Sequence, residues 1–477
     1  MARIEIAAYR PSREGSPYFT CPSVWGVSPG KPILFRIPLL GQRPLKLTAS
    51  GLPEGVELEE DTGILSGACA EGEYPIALHA ENALGSADKA LLLRVREDGA
   101  RRTPLLGFTS WNAFGQYITQ EKILETARLM DELGLADYGY QYVNIDSGWQ
   151  GEYGGKLHAI QPNEKFPDMR ALADAIHARG MKLGIYSTPM QKAWGGYEYP
   201  GCTRGQLDPA YVNVHFGVGK IHCEPQNAAQ WAEWTIDYLK YDWRPCDTHN
   251  AELMKKALME QDRDIPMCVT VAAGIGDAKW WSTYCCSWRD NRDSMSEWDN
   301  VRTRFDSDHW ARWTNPGHYF DQDMLETGVT FWHENRLSED EQIIAYTNRA
   351  MFPSPIQISC DLTKLTDFDL ALLMNEEVIA VNQDALSVGA VCMLEKRTRD
   401  EQGNAACDLK VYWRPLENGD QAWAFFNLGT TEEHIEWPVG QENVRDLWAK
   451  KDIPAPGGKL SMTLLPHTVR LLRGKRK

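Results

Sequence analysis

The sequence predicts a multidomain α/β protein whose central (β/α)₈ (TIM) barrel is flanked by an N-terminal and a C-terminal β-sandwich. The chain has 477 residues, which is enough for about three domains of average size. Short alternating strands fill residues 1–100 and 388–477, whereas apolar strands alternate with amphipathic helices over residues 101–387. The predicted domains therefore span 1–100, 101–387 and 388–477.

The first hundred residues have the pattern of an all-β domain. Apolar runs such as residues 33–37 and 74–80 are separated by Gly, Pro and Asp turns. The runs LPEGVEL at 52–58 and DTGILSG at 61–67 resemble the signature of bacterial immunoglobulin-like domains. This resemblance implies an immunoglobulin-like sandwich over roughly residues 30–97, with a short module before it. It leaves three roles open for the domain: glycan binding, dimerisation or bracing of the barrel.

The central region carries eight predicted strands with helices between them. The strands are 105–111, 142–146, 182–187, 237–243, 267–271, 287–293, 319–324 and 356–360, and the clearest helices are 121–135, 169–179, 227–234 and 251–260. We expect Gly180 to end the second of these helices. Eight such units in about 285 residues match the size of a (β/α)₈ barrel. A doubly wound sheet of eight strands is the alternative.

After residue 387 the pattern returns to β structure. The runs 409–413 and 421–426 are separated by Asn418-Gly419-Asp420, which is a hairpin signal. Two further runs, 444–448 and 464–472, complete a predicted antiparallel β-sandwich.

Composition limits the classes of partner. The net charge of -16 argues against nucleic acid, and no run approaches the roughly 18 apolar residues of a membrane span. The 18 Trp and 18 Tyr suit sugar-binding clefts, and the 11 Cys have neither metal-ligand nor disulfide-framework spacing. The start lacks an apolar leader, so we expect a cytoplasmic protein unless a leader was removed. A homo-oligomer stays open.

Charged side chains follow the apolar strands at the ends where a barrel places its chemistry. Lys240 and Asp242 alternate with apolar neighbours and so share one face of their strand. The polar strand ends are Trp111-Asn112, Asp146, Tyr186, Lys240 with Asp242, Thr270, Arg289 with Asp293, and Asp321 with Asp323. Two carboxylates across one cleft are what glycoside hydrolysis requires. A divalent-metal site also uses several carboxylates, but the accompanying Lys and Arg favour metal-free hydrolysis.

The order of these motifs resembles glycoside hydrolase family 27, the clan of α-galactosidases and α-N-acetylgalactosaminidases. The motifs are Trp111-Asn112, Asn144-Ile145-Asp146, KLGIY at 182–186, YLKYD at 238–242, WRDNRD at 288–293 and DQDML at 321–325. The likeness spans roughly residues 104–387 and extends to the C-terminal sandwich. It implies a retaining exo-glycosidase without cofactor, with Asp242 as nucleophile and Asp293 as acid/base. Sugar contacts are implied for Trp111, Asp146, Tyr186, Lys240, Arg289 and Asp323, and Asp290 lies close enough to Asp293 to compete for its role.

Departures from the family pattern bear on the substrate. The family usually has two aspartates after the second strand, which recognise the 4- and 6-hydroxyls of galactose, and Ser147 replaces the second one here. Trp243 and Arg244 follow the nucleophile where the family has a small residue and a bridging Cys. The partner region reads AWGG at 193–196, so that disulfide is not expected. A longer insertion at 197–224 is expected to cover the pocket.

These departures leave three alternatives to the predicted α-galactosidase activity. Thr270, with Ala273 nearby, is aligned with the position that reads the 2-substituent, and small residues there suit an α-N-acetylgalactosaminidase. The change at Ser147 bears on β-L-arabinopyranosidase activity, which the family also supports. A carbohydrate-binding protein on a decayed hydrolase barrel is the non-enzymatic alternative. Arg244 indicates either a negatively charged substrate or, as the favoured interpretation, an ion pair with Asp247.

Overall fold

The N-terminal region forms two β-sheets around one core. The computed structural model describes residues 3–97, 103–195, 199–270, 273–290, 292–399 and 405–475. A four-stranded sheet in the order β2-β9-β8-β5 packs against a three-stranded sheet in the order β3-β7-β6. Trp25 and Phe35 stack at 4.9 Å within their shared core. The strands are β1 (Tyr18–Phe19), β2 (Val24–Val27), β3 (Ile33–Arg36), β4 (Leu39–Leu40), β5 (Lys46–Ser50), β6 (Val56–Glu59), β7 (Ile64–Gly67), β8 (Gly72–Asn82) and β9 (Gly85–Val95).

The central sheet confirms the predicted barrel. Eight parallel strands follow one another in chain order, β10-β11-β14-β17-β18-β19-β20 with β21 beside β10. A parallel bridge between Leu325 and Ile358 joins the last two and closes the sheet. The strands of this region are β10 (Leu106–Thr109), β11 (Tyr142–Asn144), β12 (Gln150–Gly154), β13 (Ala159–Pro162), β14 (Lys182–Ser187), β15 (Thr203–Leu207), β16 (Gly219–His222), β17 (Tyr238–Asp242), β18 (Met267–Thr270), β19 (Ser287–Trp288), β20 (Tyr319–Phe320) and β21 (Ile356–Ile358). The predicted end of the fifth strand, Val271, lies outside the described residues.

Helices cover the outside of the barrel and have clear sequence signals. They are α1 (Trp111–Phe114), α2 (Gln120–Glu132), α3 (Met169–His177), α4 (Glu224–Glu233), α5 (Thr248–Met259), α6 (Ala278–Tyr284), α7 (Trp298–Thr303), α8 (Glu339–Met351), α9 (Asp367–Leu373) and α10 (Glu376–Asn382). In α3 the Asp168 side chain accepts from the Ala171 N–H and caps the first turn. Leu172 and Ile176 are buried on its inner face, and Gly180 follows the helix with a φ of +71°. The predicted stop at Gly180 is therefore confirmed.

Two hairpins leave the carboxyl edge of the barrel, where its loops carry function. β12 and β13 pair after the second barrel strand, and β15 and β16 pair within the predicted insertion after the third. Residues 196–198, which include the first two residues of that insertion, lie outside the described residues. Both hairpins stand on the face where the polar strand ends gather.

The C-terminal region is an antiparallel β-sandwich, as predicted. A six-stranded sheet in the order β22-β23-β24-β29-β26-β27 packs on the pair β25-β28. The strands are β22 (Val391–Arg399), β23 (Ala405–Pro415), β24 (Asp420–Asn427), β25 (Glu433–Pro438), β26 (Asn443–Asp446), β27 (Lys451–Pro454), β28 (Lys459–Leu464) and β29 (Thr468–Lys475). The domain boundary predicted near residue 387 stays a prediction, and the one at 100 lies outside the described residues.

The N-terminal sandwich packs against the amino-terminal end of the barrel. The Lys182 ammonium, at the start of β14, lies 5.3 Å from the ring centres of both Trp25 and Tyr142. Arg36 reaches across to form ion pairs of 2.6 Å with Asp137 and 2.8 Å with Asp131. The sandwich is thus on the side opposite the polar strand ends. Among the described helices, none has the length and apolarity needed to cross a bilayer.

Candidate active site

Lys240 and Asp146 form an ion pair at the floor of the cleft. Lys240 Nζ donates to Asp146 Oδ2 at 2.7 Å, and both side chains are largely buried. Parallel pairing sets Lys240 beside Tyr186 in the neighbouring strand, and the ammonium lies 5.6 Å from the centre of that ring. The nearby carboxylates outweigh burial and raise the pKa of Lys240. The ammonium is therefore held charged beside the next carboxylate on its own strand.

Asp242 is a buried carboxylate without a full set of partners. It ends β17 in register with Thr270, and only 8% of it is exposed. Its Oδ1 and the Thr270 hydroxyl are both buried, and neither has a hydrogen-bond partner of good geometry among the described residues. Burial raises the pKa of Asp242 to about 6, although Lys240 and Arg289 act to lower it. Unpaired buried polar atoms of this kind are expected where a ligand supplies the missing contact.

The raised pKa predicts a stability cost at Asp242. The native state binds a proton more tightly than the unfolded chain, so stability falls as pH rises from about 4 to about 6 and the loss is complete above that range. Because a shift of two pKa units corresponds to about 3 kcal/mol, we expect Asp242→Asn to increase the free energy of unfolding at pH 7 by up to about that amount. The increase should disappear near pH 3.5. Urea unfolding at both pH values measures it.

A matched control lies at the other end of the same strand. Asp237 is buried too, but His177 and Arg263 contact it at 2.7 and 2.5 Å and hold its pKa below the usual value against burial. Asp237→Asn should therefore destabilise the protein at pH 7, with the loss fading as pH falls through the native pKa of Asp237. Equal effects of the two substitutions on the free energy of unfolding would contradict the stability cost assigned to ionised Asp242.

Arg289 links two further carboxylates on neighbouring strand ends. It is 1% exposed, forms an ion pair with Asp323, and donates from Nη2 to Asp293 Oδ1 at 2.6 Å. Asp323 has a left-handed φ of +68°, which is unusual for a residue other than Gly. Its N–H donates to Asp321 Oδ1 at 2.7 Å, and its own Oδ2 accepts from the Ser294 N–H at 2.6 Å. Strained backbone held by several contacts is typical of a functional site.

The structure distinguishes Asp293 from Asp290. Asp290 turns away and accepts hydrogen bonds from Trp310 Nε1 at 2.5 Å and from Ser307 Oγ at 3.3 Å. The Asp293 side chain is 68% exposed and is held by Arg289. Arg289 contacts only Oδ1 of this carboxylate, and the assignment of the acid/base to Asp293 in preference to Asp290 stays a prediction.

The Ser147 hydroxyl is bound by a residue of the segment just before the insertion and does not face open space. Its hydroxyl donates to the Trp194 carbonyl oxygen, and the Trp194 N–H lies 3.4 Å from the Tyr186 hydroxyl. The Trp111 ring lies against Gly195, where an added Cβ would sit 2.5 Å from it. Trp194 and Gly195 thus form part of the wall beside Trp111, Ser147 and Tyr186. Every site residue predicted from the sequence lies on the carboxyl side of the barrel strands.

Two residues that support this face, Glu326 and Trp194, were given no role from the sequence. Glu326 accepts from the Asn112 amide, and the Phe331 N–H donates to the Asn112 carbonyl at 2.6 Å, so the loops after β10 and β20 are tied together. The only sequence signal was that Asn112 directly follows Trp111. Trp194 appeared in the sequence solely as part of a missing disulfide region.

Arg244 does not form the favoured ion pair with Asp247 among the described residues. Asp247 instead caps α5 by accepting from the Asn250 N–H, and it accepts from Trp243 Nε1 at 3.0 Å. Arg244 is exposed at the rim. No disulfide bond joins any of the cysteines, and no group of three or more metal-ligating residues was found, in the described ranges.

Several known proteins are similar to this chain in sequence and in architecture. Residues 111–384 match the family model described as alpha galactosidase A, and residues 406–473 match the alpha galactosidase C-terminal beta sandwich domain. The chain is 32% identical over 395 residues to an alpha-galactosidase of Oryza sativa subsp. japonica, covering 79% of this chain and 86% of that protein. It is 31% identical over 363 residues to alpha-galactosidase A of Cellvibrio japonicus, covering 71% and 80%. A solved structure of a candidate alpha-galactosidase/melibiase from Bacteroides fragilis has a TM-score of 0.86 at 29% identity and covers 98% of this chain and 99% of that one.

Proposed function

The chain belongs to the alpha-galactosidase A family of glycoside hydrolases, and on this premise we propose that it is a retaining exo-glycosidase that releases terminal α-galactosyl-like residues. The observation that carries the proposal is the pair of unlike carboxylates. Asp242 is buried with an unsatisfied oxygen, whereas Asp293 is exposed and is held by Arg289 at the cleft. Two carboxylates in different environments are what a double displacement requires.

In the first step Asp242 is the nucleophile and Asp293 is the acid. A carboxylate oxygen of Asp242 attacks the anomeric carbon while the bond to the glycosidic oxygen breaks. The proton of Asp293 passes to that oxygen, and the aglycone leaves as an alcohol. In the second step Asp293 removes a proton from water, whose oxygen displaces Asp242 from the anomeric carbon. The product keeps the α configuration because two inversions have occurred.

The cations prepare Asp242 for attack. Burial raises the pKa of this carboxyl, and Lys240 and Arg289 oppose that effect by lowering it. A value of about 6 leaves the carboxylate ionised at neutral pH, so kcat/KM should fall as pH falls through that range. Lys240 is also fixed by Asp146, whose remaining acceptor capacity is suited to a sugar hydroxyl.

The engagement of Ser147 favours a second candidate substrate. The Trp194 carbonyl already occupies the Ser147 hydroxyl, at the position where the family pattern reads the 4- and 6-hydroxyls. L-arabinopyranose has the ring hydroxyl arrangement of galactose but lacks the exocyclic carbon and its hydroxyl. A wall closed by Trp194 would accept that smaller sugar, so β-L-arabinopyranosidase activity is the second candidate.

A panel of 4-nitrophenyl glycosides tests the proposal. It contains the α-galactoside, the α-N-acetylgalactosaminide, the β-L-arabinopyranoside and the α-glucoside. Turnover of the α-galactoside, abolished in Asp242→Asn, is the expected result. Preference for the arabinopyranoside would show that the second candidate, β-L-arabinopyranosidase activity, is correct. Preference for the N-acetyl sugar would indicate that the space around Thr270 accepts a 2-acetamido group. Hydrolysis of none of the four would contradict the proposed function and leave a binding role.

A further inference from the structure

A run of aromatic rings leads away from the candidate active site across two loops. Trp332 lies 6.1 Å from Trp111, Phe331 lies 4.8 Å from Trp332, and Tyr117 lies 5.6 Å from Phe331, all measured between ring centres. Phe331, Trp332 and Tyr117 are 45%, 52% and 58% exposed. We call these three residues the aromatic platform. Such a group of exposed large rings is uncommon on a protein surface unless it binds something.

The platform is held in place and is not a set of loose side chains. The Phe331 N–H donates to the Asn112 carbonyl oxygen, which ties the loop after β20 to α1. Gly115 has a φ of +55°, and a Cβ there would lie 3.4 Å from the Phe331 ring, so the two loops are in close contact. A preformed surface loses little entropy when it binds a ligand.

A groove continues from the platform along the insertion. It is about 1090 Å³ in volume, and its lining includes Tyr117, Trp194 and Tyr199. The Trp194 ring stacks on His215 at 4.7 Å. Exposed Glu152 and Glu164 add acceptors along its edge. The volume is at the upper end of the range for small-molecule sites, which is more than one sugar ring needs.

We propose that the platform and the groove form the binding site for an oligosaccharide aglycone, so that the enzyme acts on chains in preference to small glycosides. This rests on the proposed function, since the terminal sugar must occupy the site at Asp242. Trp111 connects the two parts because its ring contacts Trp332 of the platform and also Gly195 of the groove lining. Flat rings bind the apolar faces of pyranoses, and the carboxylates and amides beside them accept and donate to hydroxyls. The occupant is therefore a neutral saccharide that extends from the scissile bond.

Kinetics on substrates of different length test the site. We expect wild-type kcat/KM to be higher for stachyose, an α-galactosyl-terminated tetrasaccharide, than for the disaccharide melibiose. Loss of one stacking ring corresponds to about tenfold, so Trp332→Ala and Tyr117→Ala should each lower kcat/KM for stachyose by about that factor. The loss for 4-nitrophenyl α-galactoside should be smaller by severalfold. Tyr284→Ala removes a ring of similar exposure (45%) on the outer helix α6 and should leave both substrates unaffected.

Calorimetry separates this inference from the proposed function. In the Asp242→Asn background, stachyose should bind more tightly than melibiose, and Trp332→Ala should remove the difference. Turnover of the aryl galactoside without any advantage for stachyose would contradict the proposed aglycone-binding site and leave the proposed function intact. Equal losses for both substrates in Trp332→Ala would also overturn it, since Trp332 would then act only by supporting Trp111. Tight binding of stachyose without turnover of any glycoside would contradict the proposed function but not the oligosaccharide-binding site.

Discussion

Asp242→Ala is expected to lower kcat on 4-nitrophenyl α-galactoside by about 10⁴-fold or more, because it removes the group that forms the covalent intermediate. Lys240 and Arg289 both act to lower the pKa of Asp242, the proposed nucleophile, against the effect of its burial. The shorter alanine side chain leaves a space on the side from which Asp242 would attack. Sodium azide should enter that space, attack the anomeric carbon and restore part of the turnover.

The configuration of the azide product identifies the role of Asp242. A single displacement on an α-galactoside inverts the centre, so the product should be the β-galactosyl azide, which NMR distinguishes from the α anomer. Asp237→Asn, at the opposite end of the same strand, should hydrolyse the substrate normally at temperatures below its unfolding transition. Recovery of the α azide from Asp242→Ala, or wild-type turnover without azide, would contradict the assignment of Asp242 as nucleophile.

The barrel could be predicted because its signals are local. Each strand is a short apolar run, and Asp168 and Gly180 mark the two ends of α3, each within three residues of the helix. Lys240 and Asp242 were placed on one face by the two-residue period alone, and both now lie at the cleft. Parallel strands in chain order then bring their carboxyl ends together without further information.

The remainder of the site depends on contacts between distant loops. The bond from Ser147 to the Trp194 carbonyl joins residues 47 positions apart, and the contact between Phe331 and Asn112 is longer still. Asp323 adopts a left-handed backbone because Arg289, Ser294 and Asp321 hold it there, which no local propensity indicates. The predicted pair of Arg244 and Asp247 was wrong for a related reason. Asp247 is an N-cap, and the helix that it caps competes successfully for its carboxylate.

The two carboxylates lie in different electrostatic surroundings. Asp242 has little contact with solvent and keeps an unsatisfied oxygen, so it gains most from a bond to the sugar. Asp293 is exposed until the aglycone covers it, so its surroundings become less polar only when substrate is bound.

Asp293→Ala is expected to have an effect that depends on the leaving group. For melibiose, whose leaving group is a sugar alcohol, kcat/KM should fall by about 10²- to 10⁴-fold, the usual contribution of a general acid. For 2,4-dinitrophenyl α-galactoside, whose leaving group departs without a proton, kcat/KM should remain near the wild-type value. Its kcat should still fall, because Asp293 also activates water in the second step, and a burst of dinitrophenol should precede slow turnover. Azide should restore kcat and yield the α-galactosyl azide, since it attacks the intermediate on Asp242 from the opposite face.

Asp290→Asn is the matched control for Asp293, since it lies three residues earlier and keeps an oxygen for the bond from Trp310. It should show neither the leaving-group dependence nor the burst. If Asp290→Asn shows both and Asp293→Ala shows neither, the acid is Asp290, and the Asp293 side chain serves only to position Arg289. If both variants lose activity equally on all substrates, the segment as a whole supports Arg289 and neither residue donates the proton. The dependence on the leaving group therefore distinguishes a residue that donates the proton from one that only positions Arg289. Loss of activity alone does not make that distinction.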